Sequence, residues 1–371
     1  MFQKLSIKKN LLKQFDFSII VTVIFLVIFS LTNVFSATHM KSGFRYFNLQ
    51  LMWIVISSIV VYLMLSTDYI IIANYSKLIY WLSIGILLFN DITSKAVKGA
   101  ASWIKIGGIA IEPGEFVKIG LLLMLSKYIY DMKGSINSSK NLFICSVYAI
   151  IPMFLILIQP NIGMTLICLF ITLGVLYIAG LNYKYILSCF ASITALSMLC
   201  WNSGVMKAYQ KDRILSFLNP QKYQSDFGFQ LIQSQIAIGS GGLIGEGFLK
   251  GTQVAGGYVP EVHTDFIFAV IGEEWGLLGS IVLILLYSIL IYRIINTAKN
   301  SKDILGSLIC VGVASSLLFS ILQNIGMTIG IMPIAGIPLP FMSYGGSSIL
   351  TNFISIGLVL NIGMRRNKIN F

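Results

Sequence analysis

The sequence predicts an all-α polytopic membrane protein of about ten transmembrane helices, with a large extracellular loop between spans 7 and 8. Three observations predict it. Hydrophobic residues make up 56% of the 371 residues and charged residues only 11%, whereas a soluble domain carries about 25% charged residues. The apolar residues gather in runs close to the ~20 residues that a helix needs to cross a bilayer. One interval, 202–265, contains no such run. A single membrane domain, 1–371, holds all of these elements. The net charge of +12 would suggest nucleic acid in a soluble protein. Here the positive-inside rule and anionic lipid headgroups account for it, and no nucleic-acid partner is expected.

The first run, 17–35, follows a basic N-terminus. It is too long for a signal-peptide core and no small-residue cleavage site follows, so it reads as a retained span. The remaining spans are expected at 47–65, 72–89, 116–130, 142–158, 162–179, 185–201, 266–292, 304–331 and 347–364. Glycine and proline recur inside several, which membrane helices tolerate when neighbours re-satisfy the backbone. Ten spans put both termini on one side. That side receives Lys4, Lys8, Lys9, Lys13, Lys77, Lys133, Lys140, Lys184, Arg293, Lys299, Lys302, Arg365, Arg366 and Lys368, and is therefore cytoplasmic. The other side receives Lys41, Arg45, Lys95, Lys98, Lys105, Lys207, Lys211, Arg213, Lys222 and Lys250. Half of these lie in the long loop, where charges count little. The excess at Lys95, Lys98 and Lys105 suits a loop that handles an anionic ligand.

The long loop carries apolar periodicity (Ile214, Phe217, Leu218, then Ile232, Ile236, Ile238) between Gly-rich turns. It reads as short amphipathic helices at the outer interface. The five cysteines (Cys145, Cys168, Cys189, Cys200 and Cys310) form no CxxC pair and read as small buried hydrophobes.

Three outer segments, 91–115, 202–265 and 333–347, hold the residues suited to chemistry. In "YVPEVHTDFIFAVIGEEWG", Glu261, His263 and Asp265 gather where the loop enters the eighth span. Thr264 or Asp265 suits an N-cap, since a carboxylate is favoured at a helix start. The alternative is that Asp265 is a general base at the lipid–water boundary. Glu273 and Glu274 lie two turns deeper, where charge is costly. One of them is expected to bond a neighbouring helix and the other to line a cavity. Glu115 and Lys118, at i and i+3 behind Pro113, share a helix face. They read either as an ion pair or as a lysine holding phosphate with its geometry fixed by the glutamate. Trp103 is an interface anchor or a stacking platform for a sugar. "GIPLPFMSYGGSS" cannot stay helical through Pro338 and Pro340, so it is expected to turn beside a cavity, presenting Ser343, Tyr344 and Gly345. "IAIGSGGLIGEGFLKGTQ" is Gly-rich but lacks the ending of a nucleotide loop.

Together "FLNP", "QSQIAIGSGG", "VPEVHTDFIFAVIGEE", "NIGM" and "PIAGIPLPFMSYGGSS" resemble the SEDS family (shape, elongation, division and sporulation) of RodA, FtsW and SpoVE peptidoglycan polymerases, in order along nearly the whole chain. The short N-terminus and the HTDF segment look most like the RodA branch. The resemblance implies an inverting glycosyltransferase of the bacterial cytoplasmic membrane that polymerises lipid II on the outer face and releases undecaprenyl pyrophosphate. It implies that Asp265 is the essential carboxylate and that Lys118 and Glu115 belong to the site. From their own placement, Glu261, His263, Trp103, Ser343, Tyr344 and Gly345 are expected to lie against substrate. The resemblance further implies a class B penicillin-binding protein, a transpeptidase, as partner, with a divalent cation (Mg or Mn) as the one cofactor to consider and no organic cofactor. The chain departs from the family pattern at Ser102, Gly114 and Glu246, where Arg, Ser and Lys are usual. The last change argues against a phosphate role for the Gly-rich loop. A lipid II flippase and a non-catalytic scaffold are the competing readings. The polar residues cluster in the outer half, whereas a transporter places them near the midplane.

Overall fold

The computed structural model describes residues 14–93, 103–106, 109–132, 134–204, 206, 208–223 and 227–366. Lys4, Lys8, Lys9, Lys13, Lys95, Lys98, Ser102, Lys133, Lys207 and Lys368 lie outside them. Every apolar run expected to span falls on a helix. These are α1 (Phe17–Ser42), α2 (Arg45–Ser66), α4 (Ser76–Thr93), α5 (Pro113–Asp131), α6 (Ser139–Ile158), α7 (Ile162–Ile178), α8 (Tyr183–Asn202), α12 (Ile267–Lys299), α13 (Ile304–Thr328) and α14 (Gly346–Met364). Among the described residues, seven helices are long and apolar enough to cross a membrane: α1, α2, α6, α8, α12, α13 and α14. The chain is a multi-pass membrane protein. A short α3 (Tyr69–Asn74) precedes α4, and the long loop folds into α9 (Ala208–Leu218), α10 (Phe227–Ser240) and α11 (Thr252–Ala255).

Helix starts follow local capping chemistry. The Asp303 carboxylate accepts from Gly306 N–H at 2.8 Å and starts α13, and Asn161 Oδ1 accepts from Met164 N–H at 3.0 Å and starts α7. The centre of the bundle is α14, with 83% of its most apolar window buried, and α13, with 67%, whereas α8 buries none of its window. α14 lies on α2, α13 lies on α7 and α12, and α1 packs along α12. Polar groups on α13 and α14 must therefore find partners inside the protein.

Two features depart from the sequence reading. The segment before α5 is not all loop. β1 (Ile104–Ile106) and β2 (Ile109–Ile111) pair antiparallel with Ile104 opposite Ile111. The alternating isoleucines about Gly107–Gly108 carry that signal, since a Gly-Gly pair between alternating apolar residues favours a two-residue hairpin turn. The eighth span is also not one continuous helix. Gly276 has φ 63° and ψ −158°, which splits α12. This is a backbone region essentially reserved for glycine. The loop after α10 fills the gap: Glu246 and Gly247 N–H donate to the carbonyls of Glu273 and Glu274 at 2.9 and 3.1 Å, and Leu277 and Leu278 N–H donate to Gly242 and Leu243 at 3.0 and 3.1 Å. The backbone groups freed by the break are thus satisfied within the protein, as a membrane interior requires.

Candidate active site

The segment between α13 and α14 carries two prolines and no regular structure, so its carbonyls need donors. Side chains from four helices supply them. Gln323 Nε2 donates to Pro333 O at 2.8 Å, Asn324 Nδ2 to Ile337 O at 2.7 Å, Tyr287 Oη to Pro340 O at 2.6 Å and Ser30 Oγ to Met342 O at 2.8 Å. Gln50 Nε2 donates to Ser343 O at 3.2 Å. The turn is therefore held on all sides, and one of its faces lines a cavity.

That cavity, of about 140 Å³, is the meeting point of segments 91–115, 202–265 and 333–347. Trp103 and Glu112 line it ahead of α5, and Asn161 from the start of α7. Arg213 reaches it from α9, Thr264 and Asp265 from the approach to α12, and Gly336, Pro338, Tyr344, Gly345 and Ser348 from the turn and the start of α14. Asp265 is only partly buried. Its own carbonyl accepts from Asn324 Nδ2 at 2.8 Å, which fixes it to α13. A tight turn at Glu261, with φ 47°, precedes it, and the Glu261 carbonyl accepts from the N–H groups of Thr264, Asp265 and Phe266 at 3.2, 3.0 and 3.2 Å. The N-cap of α12 is Phe266, with no side-chain cap bond. Capping by Thr264 or Asp265 is thus ruled out, because the turn delays helical geometry by one residue and leaves the Asp265 carboxylate turned to the cavity. Gly336 forms the wall opposite: a Cβ there would stand 3.5 Å from Asp265 Oδ2.

The other expected site residues separate into two groups. Trp103, Tyr344 and Gly345 line the cavity. His263, Glu261, Ser343, Glu115 and Lys118 stand behind its walls. His263 packs against the rings of Tyr46 and Tyr344, at 4.7 and 5.8 Å, which also touch each other, and its carbonyl accepts from Tyr344 N–H at 2.8 Å. Ser343 is 2% exposed and its Oγ accepts from Leu339 N–H at 2.8 Å, so it braces the turn from inside. Glu115 and Lys118 form a buried ion pair, Nζ to Oε2 2.5 Å, and the same carboxylate oxygen accepts from Thr351 Oγ1 at 2.5 Å.

Glu273 and Glu274 both serve structure, which corrects the expectation that one lines a cavity. The Glu273 carboxylate accepts from Gln253 and Val254 N–H at 2.6 and 3.0 Å and holds the start of α11. Glu274 accepts from the Ser36 hydroxyl on α1.

Sequence reasoning passed over Glu112, Asn161 and Arg213. Glu112 is 7% exposed; its Oε1 accepts from Asn161 Nδ2 at 2.8 Å and its N–H donates to Ser347 Oγ at 2.9 Å. It sits three residues before Glu115, one turn away, which was the available signal. Arg213 was visible only as one outer cation among ten. Burial pushes the Glu112 carboxyl up to about 8, with the Glu115 carboxylate adding to the rise and the Lys118 ammonium opposing it. Among the described residues no group of three or more His, Cys, Asp or Glu side chains converges. A divalent cation held by protein side chains alone does not fit this donor set.

A sequence profile described as a cell cycle protein family, that of FtsW, RodA and SpoVE, matches residues 11–368. The peptidoglycan glycosyltransferase MrdB of Escherichia coli K12 is 35% identical over 297 residues, 80% of either chain. Stage V sporulation protein E of Bacillus subtilis is 31% identical over 348 residues, 93% of this chain and 94% of its own. Among solved structures, a chain of a peptidoglycan synthase complex that coordinates polymerization and crosslinking superposes with a TM-score of 0.82 at 26% identity, over 95% of this chain and 99% of that one. The rod shape determining protein RodA of Thermus thermophilus superposes with a TM-score of 0.73 at 25% identity, over 95% and 98%.

Proposed function

We infer the function of this chain from the premise that it belongs to the FtsW, RodA and SpoVE family, which the match over residues 11–368 establishes. The chain is a peptidoglycan glycosyltransferase that builds glycan strands from lipid II, and it works with a crosslinking transpeptidase of the class B penicillin-binding type. The observation that carries the mechanistic reading is the placement of the partly buried Asp265 carboxylate in a cavity where segments 91–115, 202–265 and 333–347 meet.

The substrate has a water-soluble disaccharide head and a polyprenyl tail, so the reacting bond lies at the membrane surface. In our reading ten spans place both termini in the cytoplasm of a bacterial cell, and the 202–265 loop and the cavity face outward. The 4-hydroxyl of the acceptor GlcNAc lies against Asp265, which takes its proton as the oxygen attacks the donor MurNAc anomeric carbon. The bond from that carbon to the diphosphate breaks, undecaprenyl pyrophosphate leaves with the electron pair, and inversion gives a β-1,4 link. Arg213 on the cavity wall supplies positive potential for the developing diphosphate charge, while Lys118, neutralised by Glu115, braces the wall from behind. Trp103 and Tyr344 offer ring faces to the sugars. A magnesium or manganese ion enters this reading only as a counter-ion carried by the substrate diphosphate. Glu261, His263, Ser343 and Glu115 position the cavity walls from behind.

The flippase reading has no comparable support. Glu273, Glu274 and Lys118, the charges that would mark a translocation path, are each bonded within the protein. The test is purified full-length protein with its transpeptidase, supplied with lipid II, and products resolved by gel. A ladder of glycan strands is expected. Lipid II recovered unchanged, or moved across a vesicle membrane without polymer, would contradict the reading.

A further inference from the structure

Asp265 is not the only carboxyl group in the cavity. Glu112 also lines it, immediately before α5, and is almost wholly buried. One of its oxygens, Oε1, is engaged by Asn161 Nδ2, and its backbone N–H is engaged by Ser347 Oγ. The side chain is thereby held in place against the cavity. The charged groups around it are Glu115 and Lys118 on the helix that follows it and Asp265 from the approach to α12, and Arg213 lines the same cavity from α9. Glu115 and Lys118 largely cancel as an ion pair. A second full negative charge beside Asp265 would repel a diphosphate-bearing ligand.

We propose that Glu112 is a second acid of the active site, which holds a proton at neutral pH and donates it in a hydrogen bond to a diphosphate oxygen of the lipid-linked donor. The proposal rests on the glycosyltransferase reading above. In it Glu112 stays protonated throughout the reaction and takes no part in bond making. It lets a cavity that must hold one carboxylate base also accept an anionic substrate. The rise of its carboxyl to about 8 agrees with this state. The sign is definite: an acid with a raised pKa is neutral below that value and ionised above it, so substrate affinity is present at neutral pH and lost as pH rises.

The experiment is the pH dependence of KM and kcat for lipid II, with purified full-length protein and its variants. For the wild type, KM rises roughly tenfold for each pH unit above about 8 while kcat changes little. Glu112→Gln keeps a neutral hydrogen-bond donor and cannot ionise, so its KM has no alkaline rise. Glu112→Ala loses the donor and has a raised KM at every pH. A purely structural Glu112 would lower the melting temperature but leave the shape of the KM profile alone. Profiles of wild type and Glu112→Gln that coincide would overturn the proposal. Should Glu112→Gln not fold, Asn161→Ser serves instead. Serine retains capping at the start of α7 but removes the amide donor that favours ionised Glu112. The alkaline limb must then move to higher pH, and a limb that stays in place overturns the proposal. Wild-type protein that makes no glycan from lipid II at any pH would instead sink the underlying glycosyltransferase reading.

Discussion

Asp265 owes its role to a turn two to four residues upstream. Because Glu261 adopts a left-handed conformation and its carbonyl gathers three N–H groups, α12 starts only at Ile267. The aspartate is left outside the helix, facing the cavity. The sequence made Asp265 legible through its charge at a span mouth, and the family resemblance singled it out. It could not place the turn, since a non-glycine residue with positive φ carries no compositional signature. Glu115 and Lys118 were legible as a pair by spacing, but their depth was not. With Nζ 2.5 Å from Oε2 and both side chains buried, removal of one partner strands the other. Lys118→Met should therefore cost about 3–5 kcal/mol of stability. The double variant Lys118→Met, Glu115→Leu should recover much of that loss in melting temperature. A Lys118→Met protein as stable as wild type would show that the pair contributes little. Gly336 gives a prediction at the same scale. Its φ is +65° and its Cα faces the Asp265 carboxylate. Gly336→Ala should cut turnover through backbone strain in the wall beside that carboxylate, read as kcat on folded protein.

Among the elements, the two that the sequence read least well are the broken helix α12 and the hairpin of β1 and β2. The pattern at 266–292 is apolar throughout, so nothing in its periodicity marks Gly276 as more than a tolerated glycine. What makes the break stable lies elsewhere in the chain, in the glycine loop at 241–247 whose backbone pairs with both helix ends. The same loop was rejected as a phosphate site on sequence grounds, and its observed role is structural. Gly276 has no room for a side chain: a Cβ would stand 2.4 Å from Gly245 N. Gly276→Ala should destabilise the protein by at least about 1–3 kcal/mol, seen as a lower melting temperature. A neutral effect would mean that the break is not required. The hairpin of β1 and β2 was missed for a different reason. Its three-residue strands are too short to compete with the membrane-helix signal on either side, although the Gly-Gly pair was in view. By contrast, the prolines at Pro338 and Pro340 correctly announced a non-helical segment, because no neighbouring residue can restore their missing N–H groups.

At the scale of the whole molecule, the sequence carried the positions of the long apolar helices, since apolar length is a local property. The cavity was not local. It draws Glu112, Asn161, Arg213, Asp265 and Ser348 from distant parts of the chain, as the bonds of Glu112 to Asn161 (49 apart) and to Ser347 (235 apart) illustrate. Orientation is testable in the same frame. A cysteine at Tyr258, which is 54% exposed, should react with an impermeant maleimide added outside whole cells. One at Lys299, exposed at the far end of α12, should react only after permeabilisation. The reverse pattern would invert the proposed topology. The central claim is that Asp265 removes the acceptor proton, and the most direct measurement is turnover per folded molecule of Asp265→Asn with melting temperature followed in parallel. Asparagine nearly preserves shape but cannot take a proton. Polymerisation should fall by about 10²–10⁴-fold or more, with folding and lipid II binding retained. Turnover within about threefold of wild type, well below that range, would contradict the account.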